Sequence, residues 1–345
     1  MRWKLNGVFL AVIIVPVLLL QWVKVPGAEN PPSLRISWQN QYHRPESIPF
    51  PASNPFTAQK AELGRMLFFD PLFSASQSIS CASCHNPALS WGDARARARG
   101  EGASPLALRS PTLLDVAWMP RLGWDGKFRD LESVAFAPIT GAANMNLPEP
   151  TLLARLSAVP GYVQAFSSAF GDEGITRHTI ELALATYERT LVSQDAPFDR
   201  WIDGDADAIS PAAQRGFDLF NGKARCSGCH SGWPLSDGSF HDIGVGHDAD
   251  IGRGRLFPTS VKLRYAFKTP TLRDVARRAP YMHDGSISTL AEVIELYDRG
   301  GVDRPSRSEL ISRLMLSQQE KADLLAFLET LTTPLRTAEV PVLPR

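Results

Sequence analysis

Cys81-Ala82-Ser83-Cys84-His85 decides the reading of this chain, because the pattern returns as Cys226-Ser227-Gly228-Cys229-His230 and the two copies use every cysteine present. In C-x-x-C-H the two thiols form thioethers with the vinyl groups of a haem and the adjacent histidine takes the iron. Two covalent c-type haems are therefore expected, held by Cys81 and Cys84 with His85, and by Cys226 and Cys229 with His230. Rival uses of these residues fit poorly. Paired C-x-x-C zinc sites lie about 15 to 20 residues apart and need no histidine directly behind each pair; here the pairs lie 145 residues apart. A thioredoxin-like motif needs a βαβ context, and a disulfide framework suits a chain under about 100 residues.

Outward from each motif the chain repeats itself. Ser110-Pro111-Thr112-Leu113-Leu114-Asp115-Val116-Ala117 matches Thr269-Pro270-Thr271-Leu272-Arg273-Asp274-Val275-Ala276. Thirteen residues after each proline stand Trp124-Asp125-Gly126 and His283-Asp284-Gly285, and seven further on stand Leu131 and Leu290. Spacing kept over so many positions marks a duplicated unit. Helical patterns precede both motifs: Leu63, Met66 and Leu67 in the stretch from Thr57 to Phe69, and Phe217 and Phe220 after a Ser210 cap and Pro211. Ile180, Leu184, Tyr187 and Leu191 form another stripe, and Ser317 with Glu320 makes a capping box before Leu324, Phe327, Leu328 and Leu331. No run alternates apolar and polar residues as a half-buried strand would. The expected fold is all-α, two cytochrome c-like domains related by internal duplication, over residues 29–195 and 196–345. Asp195 to Gly204 reads as the junction, and Gly232 to Pro258 as a long loop over the second haem.

Lys plus Arg and Asp plus Glu balance at 36 each, so no bulk charge points to nucleic acid or an anionic membrane. Arg2 and Lys4 before the apolar run Gly7 to Leu20 read as a targeting segment over residues 1–28, with a candidate cleavage site at Ala28. An uncleaved anchor is the alternative and the one route by which a membrane enters. Export to the periplasm agrees with covalent haem attachment. Residues 30–54, rich in Pro, Ser and Asn, read as an extended lead-in. His43 and His178 read as surface or core histidines, and Arg95, Arg97 and Arg99 as a docking patch or, more simply, a solvated loop.

The sixth iron position separates functions: a protein ligand there favours electron transfer, whereas an empty one admits peroxide or oxygen. From Asn86 to Gly123 there is no histidine, and the one methionine, Met119, precedes a proline. The first iron is therefore expected to be open, a carrier haem capped by Met119 or by a ligand from elsewhere being the alternative. Near the second haem, Thr289 and Glu292 make a capping box, and Leu290, Val293, Ile294 and Tyr297 follow at helical spacing. A tyrosine on such a stripe is ordinarily core; Met282, Met315, His241 and His247 compete as ligands, and pattern does not choose.

Two C-x-x-C-H units, Trp124-Asp125-Gly126 after the first and Pro280-Tyr281-Met282-His283-Asp284-Gly285 after the second, make the chain resemble the bacterial di-haem cytochrome c peroxidase superfamily, including its MauG-like and MbnH-like branch, from about Asn54 to Leu331. The resemblance implies a peroxide-activating first haem, a relay haem second, and Trp124 between them; a core aromatic is the plain alternative for Trp124. The family's relay ligand lies fourteen residues beyond the histidine of His-Asp-Gly, methionine in ordinary peroxidases and tyrosine in MauG-like enzymes, which falls here on Tyr297. The MauG-like pattern implies a high-valent state shared by both haems that oxidises a protein substrate, at tryptophan. The alternatives are a cytochrome c peroxidase fed by a small cytochrome or copper protein, and a non-catalytic di-haem electron carrier. Pro138 keeps a family position, but Asn144 stands in place of the peroxide-site glutamate and Val134 in place of a glutamine. An amide orients a substrate without shuttling its proton, so Glu101, Asp130 and Glu132 are candidate carriers. Arg109 replaces an asparagine that resembles a calcium ligand, so calcium between the haems is doubtful.

Overall fold

The computed structural model describes residues 32–334 and 339–344; the targeting segment expected over residues 1–28 lies outside them. The helices are α1 (Pro32–Gln39), α2 (Ala58–Phe69), α3 (Cys81–Cys84), α4 (Leu131–Thr140), α5 (Glu149–Ser157), α6 (Pro160–Phe170), α7 (Arg177–Arg189), α8 (Pro197–Ile202), α9 (Pro211–Asn221), α10 (Leu290–Arg299) and α11 (Gln318–Glu329). Among the described residues the sheet is one antiparallel pair, β1 (Phe240–His241) with β2 (Phe267–Lys268). No described helix is long and apolar enough to cross a membrane. The fold is helical, with two cytochrome c-like regions.

Local chemistry sets the helix ends. Thr57 accepts from Lys60 N, Ser210 from Ala213 N ahead of Pro211, Thr289 from Glu292 N and Ser317 from Glu320 N, so an orphan donor at each start is satisfied. Each unit then builds its core on one helix crossing. Leu63, Leu67 and Phe68 of α2 pack with Ile180 and Leu184 of α7 and with Phe136 of α4. In the second unit Phe217 and Phe220 of α9 pack with Leu324 and Phe327 of α11 and with Phe198 of α8.

Both crossings are close enough to require glycine. A Cβ on Gly64 would lie 2.0 Å from the Ala183 carbonyl oxygen, and one on Gly216 2.0 Å from that of Asp323. The same device at the same place in each unit expresses the duplication. Gly216→Ala is expected to cost at least about 1–3 kcal/mol, the usual range for overpacking, seen as a lower thermal midpoint by circular dichroism; an unchanged midpoint would refute this packing.

The duplicated segments also bond alike. Asp115 and Asp274 both take the left-handed conformation, φ 59° and 55°. Their N–H groups donate to Leu191 O and Leu331 O, each at 2.9 Å, and their carboxylates accept from Ser193 N and Thr333 N. Across the seam, Arg109 N donates to His283 O at 3.1 Å and Lys268 N to Trp124 O at 2.8 Å. Arg109 matches Lys268 in the repeat and Trp124 matches His283, so these are one bond made twice about a pseudo-two-fold axis.

Two segments differ from the sequence expectation. The lead-in, expected to be extended, contains α1: Trp38 packs edge-on to Phe217, the Arg35 guanidinium pairs with Asp218, and fully buried Tyr42 belongs to the second core. Tertiary anchoring by two aromatics and an ion pair, rather than periodicity, makes this helix. The junction likewise holds α8, whose Phe198 and Trp201 sit in the second core.

Candidate functional site

At the first motif, α3 is a single turn whose start is tied by Ser80 N donating to Ser83 Oγ at 3.0 Å, and its i, i+3 geometry puts Cys81 and Cys84 on one side. His85 N bonds Cys81 O, and His85 Nδ1 bonds the Trp91 carbonyl at 3.1 Å. At the second motif His230 N bonds Cys226 O, and His230 Nδ1 bonds the Leu235 carbonyl at 2.8 Å. A ring Nδ1 facing a carbonyl must carry the proton, which leaves the lone pair on Nε2. Burial holds both imidazoles below their usual pKa, so each is a neutral, oriented ligand. None of the four cysteines is in a disulfide, so all four are available for thioether bonds. Burial raises Cys81 and Cys84 and pushes Cys226 up to about 12.

A cavity of about 230 Å³ opens in the second unit, lined by Cys226, Cys229, His230, Met282 and Tyr297 and reaching Trp124. Tyr297 lies on α10, and its hydroxyl makes no hydrogen bond among the described residues; burial is the main force holding its pKa above the usual value. The β1 end of the Gly232–Pro258 loop walls the cavity through His241, Ile243 and Val245. Of the competing ligands, Met315 is 83 % exposed and His247 is on the surface beside Asp248. His241 Nε2 is engaged by Asp237 Oδ2 at 2.8 Å; this bond, then one to Cys229, pushes His241 up to about 10. Met282 remains on the cavity wall with Tyr297.

Arg109 and Arg278 line the same cavity, and both are buried with Nε unpartnered among the described residues. Arg109 Nη2 donates to Arg278 O at 2.8 Å; burial, and then the neighbouring Arg109 charge, push Arg278 down to about 10. Two adjacent buried cations with spare donors suit an anion, and haem carries propionates. They do not suit a divalent cation, so calcium between the haems does not fit the residues present. The thiols, the oriented histidines, the apolar cavity and these spare donors fit haem.

Trp124 joins the units. Its Nε1 donates to Arg109 O at 3.0 Å, and its ring meets His283 edge-on at 6.4 Å between centroids. His283, 3 % exposed, stacks on Phe267 at 3.5 Å and its Nε2 lies 2.6 Å from Asp250 Oδ2. Sequence reading missed Asp250, Phe267 and Arg278. The repeat marks His283 as the counterpart of Trp124, but no pattern points to its partners.

Pro138 and Asn144 come together where α4 ends: Met145 N donates to Pro138 O at 3.0 Å and Asn144 N to Gly141 O at 2.9 Å. Two of the three candidate proton carriers are already engaged. Glu132 is clamped by Arg189 at 2.7 and 2.8 Å and by Asn54, and Asp130 caps α4 through Ser133. His178 is exposed, His43 pairs with Asp203, and Arg95, Arg97 and Arg99 are exposed.

Comparison with known proteins agrees with this geometry. Residues 58–207 match the family model for di-haem cytochrome c peroxidase, and residues 213–332 that for cytochrome c. The chain is 49% identical over 306 residues to the methylamine utilization protein MauG of Methylorubrum extorquens, covering 88% of this chain and 87% of that one. It is 45% identical to the protein of the same name from Methylophilus methylotrophus, covering 89% and 92%. Among solved structures, a MauG-like protein associated with microbial copper homeostasis superposes with a TM-score of 0.79 at 32% identity, covering 84% of this chain and 94% of that one.

Proposed function

We propose, from the premise that this chain belongs to the di-haem cytochrome c peroxidase family and is an oxidoreductase carrying two covalent c-type haems, that it performs MauG-like oxidation of a protein substrate with hydrogen peroxide. The observation that carries the reading is the single cavity shared by Cys226, Cys229, His230 and Tyr297 and extending to Trp124.

When bound, the haem pair supplies iron that meets peroxide and holds its oxidising equivalents. The chain's residues do the rest. Cys81 and Cys84 fix the first haem and Cys226 and Cys229 the second; His85 and His230 present Nε2 to the irons. With haem bound at the first motif, Pro138 and Asn144 would flank a peroxide site left open, and the amide of Asn144 would orient the substrate. Tyr297, on the wall of the cavity, would hold the second haem's iron, and an anionic oxygen there would favour the oxidised metal. Trp124, pinned by Arg109 and His283, couples the two sites. Residues 29–195 and 196–345 are the two haem domains, with α1 folded back on the second. Residues 1–28 direct the chain to the periplasm. The substrate is a periplasmic protein oxidised at tryptophan, a copper-binding protein being one class of partner.

A second reading, a cytochrome c peroxidase drawing electrons from a small cytochrome or copper protein, is favoured by the description of the matching family itself. Low-temperature electron paramagnetic resonance of the oxidised protein, followed by peroxide titration, separates these readings from an electron carrier. One high-spin and one low-spin signal, with both haems perturbed by peroxide, is the expected result. Two low-spin signals and no response to peroxide would leave a carrier. Steady turnover with a reduced small donor would favour the peroxidase.

A further inference from the structure

We infer that Glu101 is the carboxylate that moves the proton during peroxide cleavage at the first haem. The inference rests on the reading of that haem as the peroxide site.

The backbone brings Glu101 to the place where a carrier is needed. Glu101 N donates to Asn144 O at 2.5 Å, so its main chain lies against the residue that shapes the peroxide site but cannot itself shuttle a proton. Gly100 makes this approach possible, since a Cβ there would lie 1.8 Å from the Ala143 carbonyl oxygen. The same segment touches the haem motif, the Arg99 carbonyl lying 3.6 Å from Cys84 Sγ. Three stretches are thereby laced together, because Ala75 N also donates to Met145 O at 2.9 Å.

The carboxylate is held at one end and free at the other. Glu101 Oε1 accepts from Ser76 N at 3.1 Å, which fixes the side chain, whereas Oε2 is buried with no hydrogen-bond partner among the described residues. A buried carboxylate oxygen without a partner is costly to maintain and calls for a purpose. Of the other acids near this haem, Asp93 also keeps a buried oxygen, Oδ2, without a partner among the described residues, but it stands two residues beyond Trp91, whose carbonyl orients His85, and Arg95 N holds its Oδ1. Glu132 is clamped by Arg189 and Asp130 caps α4. Glu188 neighbours Cys81 from α7, next to Tyr187, whose ring packs on the Trp91 that orients His85, so it belongs to the proximal side.

The step balances simply. The O–O bond of hydrogen peroxide breaks with two electrons from the haem pair; the oxygen that stays gives up a proton to Glu101, and the departing oxygen receives a proton from Glu101 and leaves as water. Glu101 ends as it began. General acid–base help of this kind is worth roughly 10²–10⁴-fold.

The test uses the di-haem protein with Glu101→Gln and Glu101→Asp variants. Stopped-flow absorption follows the Soret change with peroxide from pH 5 to 9, and cyanide association is measured in parallel, because neutral hydrogen cyanide must also lose a proton to bind. Glu101→Gln is expected to slow the peroxide step about 100-fold, to flatten its pH profile and to slow cyanide, with the resting spectrum and thermal midpoint kept; Glu101→Asp recovers part of the rate and the profile. A Glu101→Gln variant with wild-type rates and pH profiles overturns the inference alone. A wild type that ignores peroxide yet binds cyanide with the same dependence on Glu101 overturns the functional reading and keeps the proton role. A wild type inert to both overturns the two together.

Discussion

Tyr297→Met, loaded with both haems, is expected to bind them in full and yet to lose oxidation of the protein substrate. The low-spin signal of the second haem should change, and its reduction potential should rise by a sizeable part of the ~0.8 V range that axial ligands span. The argument starts from burial. Tyr297 lines the cavity of Cys226, Cys229 and His230, its hydroxyl has no hydrogen-bond partner among the described residues, and burial holds its pKa well above the ordinary value. Only a strong cation can draw the proton off in such surroundings, as ferric iron does when it binds an oxygen ligand. The resulting anion stabilises oxidised metal, whereas a thioether favours the reduced state. Potentiometry and resonance spectra check the prediction. An unaltered low-spin signal in the variant would remove Tyr297 from the iron and turn attention to Met282, which shares the cavity wall.

Trp124→Phe carries the second large effect. Phenylalanine can retain the edge contact with His283 but loses the Nε1 bond to Arg109 O, so packing survives while the indole is gone. Peroxide should still perturb the first haem promptly, while the response of the second falls behind. Oxidation of the partner should drop at least ~10-fold, equivalent to about 1.4 kcal/mol of barrier. Two-wavelength stopped-flow absorption reads this directly. If both haems still respond together and the thermal midpoint is unchanged, Trp124 is a packing aromatic and the coupling runs elsewhere.

Much of this architecture is legible in sequence because its signals are local. The caps at Ser210, Thr289 and Ser317 each satisfy a donor within three residues, and each is found where the pattern puts it. The haem motifs are five-residue signatures, and the duplication fixes the correspondence of Trp124 with His283. What escaped depends on distant partners. Helix α1 exists through Trp38, Arg35 and Tyr42 meeting a core more than 150 residues away, which periodicity does not register. Asp250 reaches His283 from a loop, and Arg109 and Arg278 face each other only after the units dock. Of the three acids offered by sequence as proton carriers, the hydrogen bonds engage two and leave one oxygen of Glu101 unmatched.

The paired bonds across the seam, Arg109 N to His283 O and Lys268 N to Trp124 O, tie the surroundings of Trp124 to both halves of the chain. For attachment the chain is two units, since each motif holds its own cysteines and histidine. For the coupling proposed through Trp124 it is one, because the indole hangs from the first unit while its backbone and its aromatic neighbour are tethered to the second.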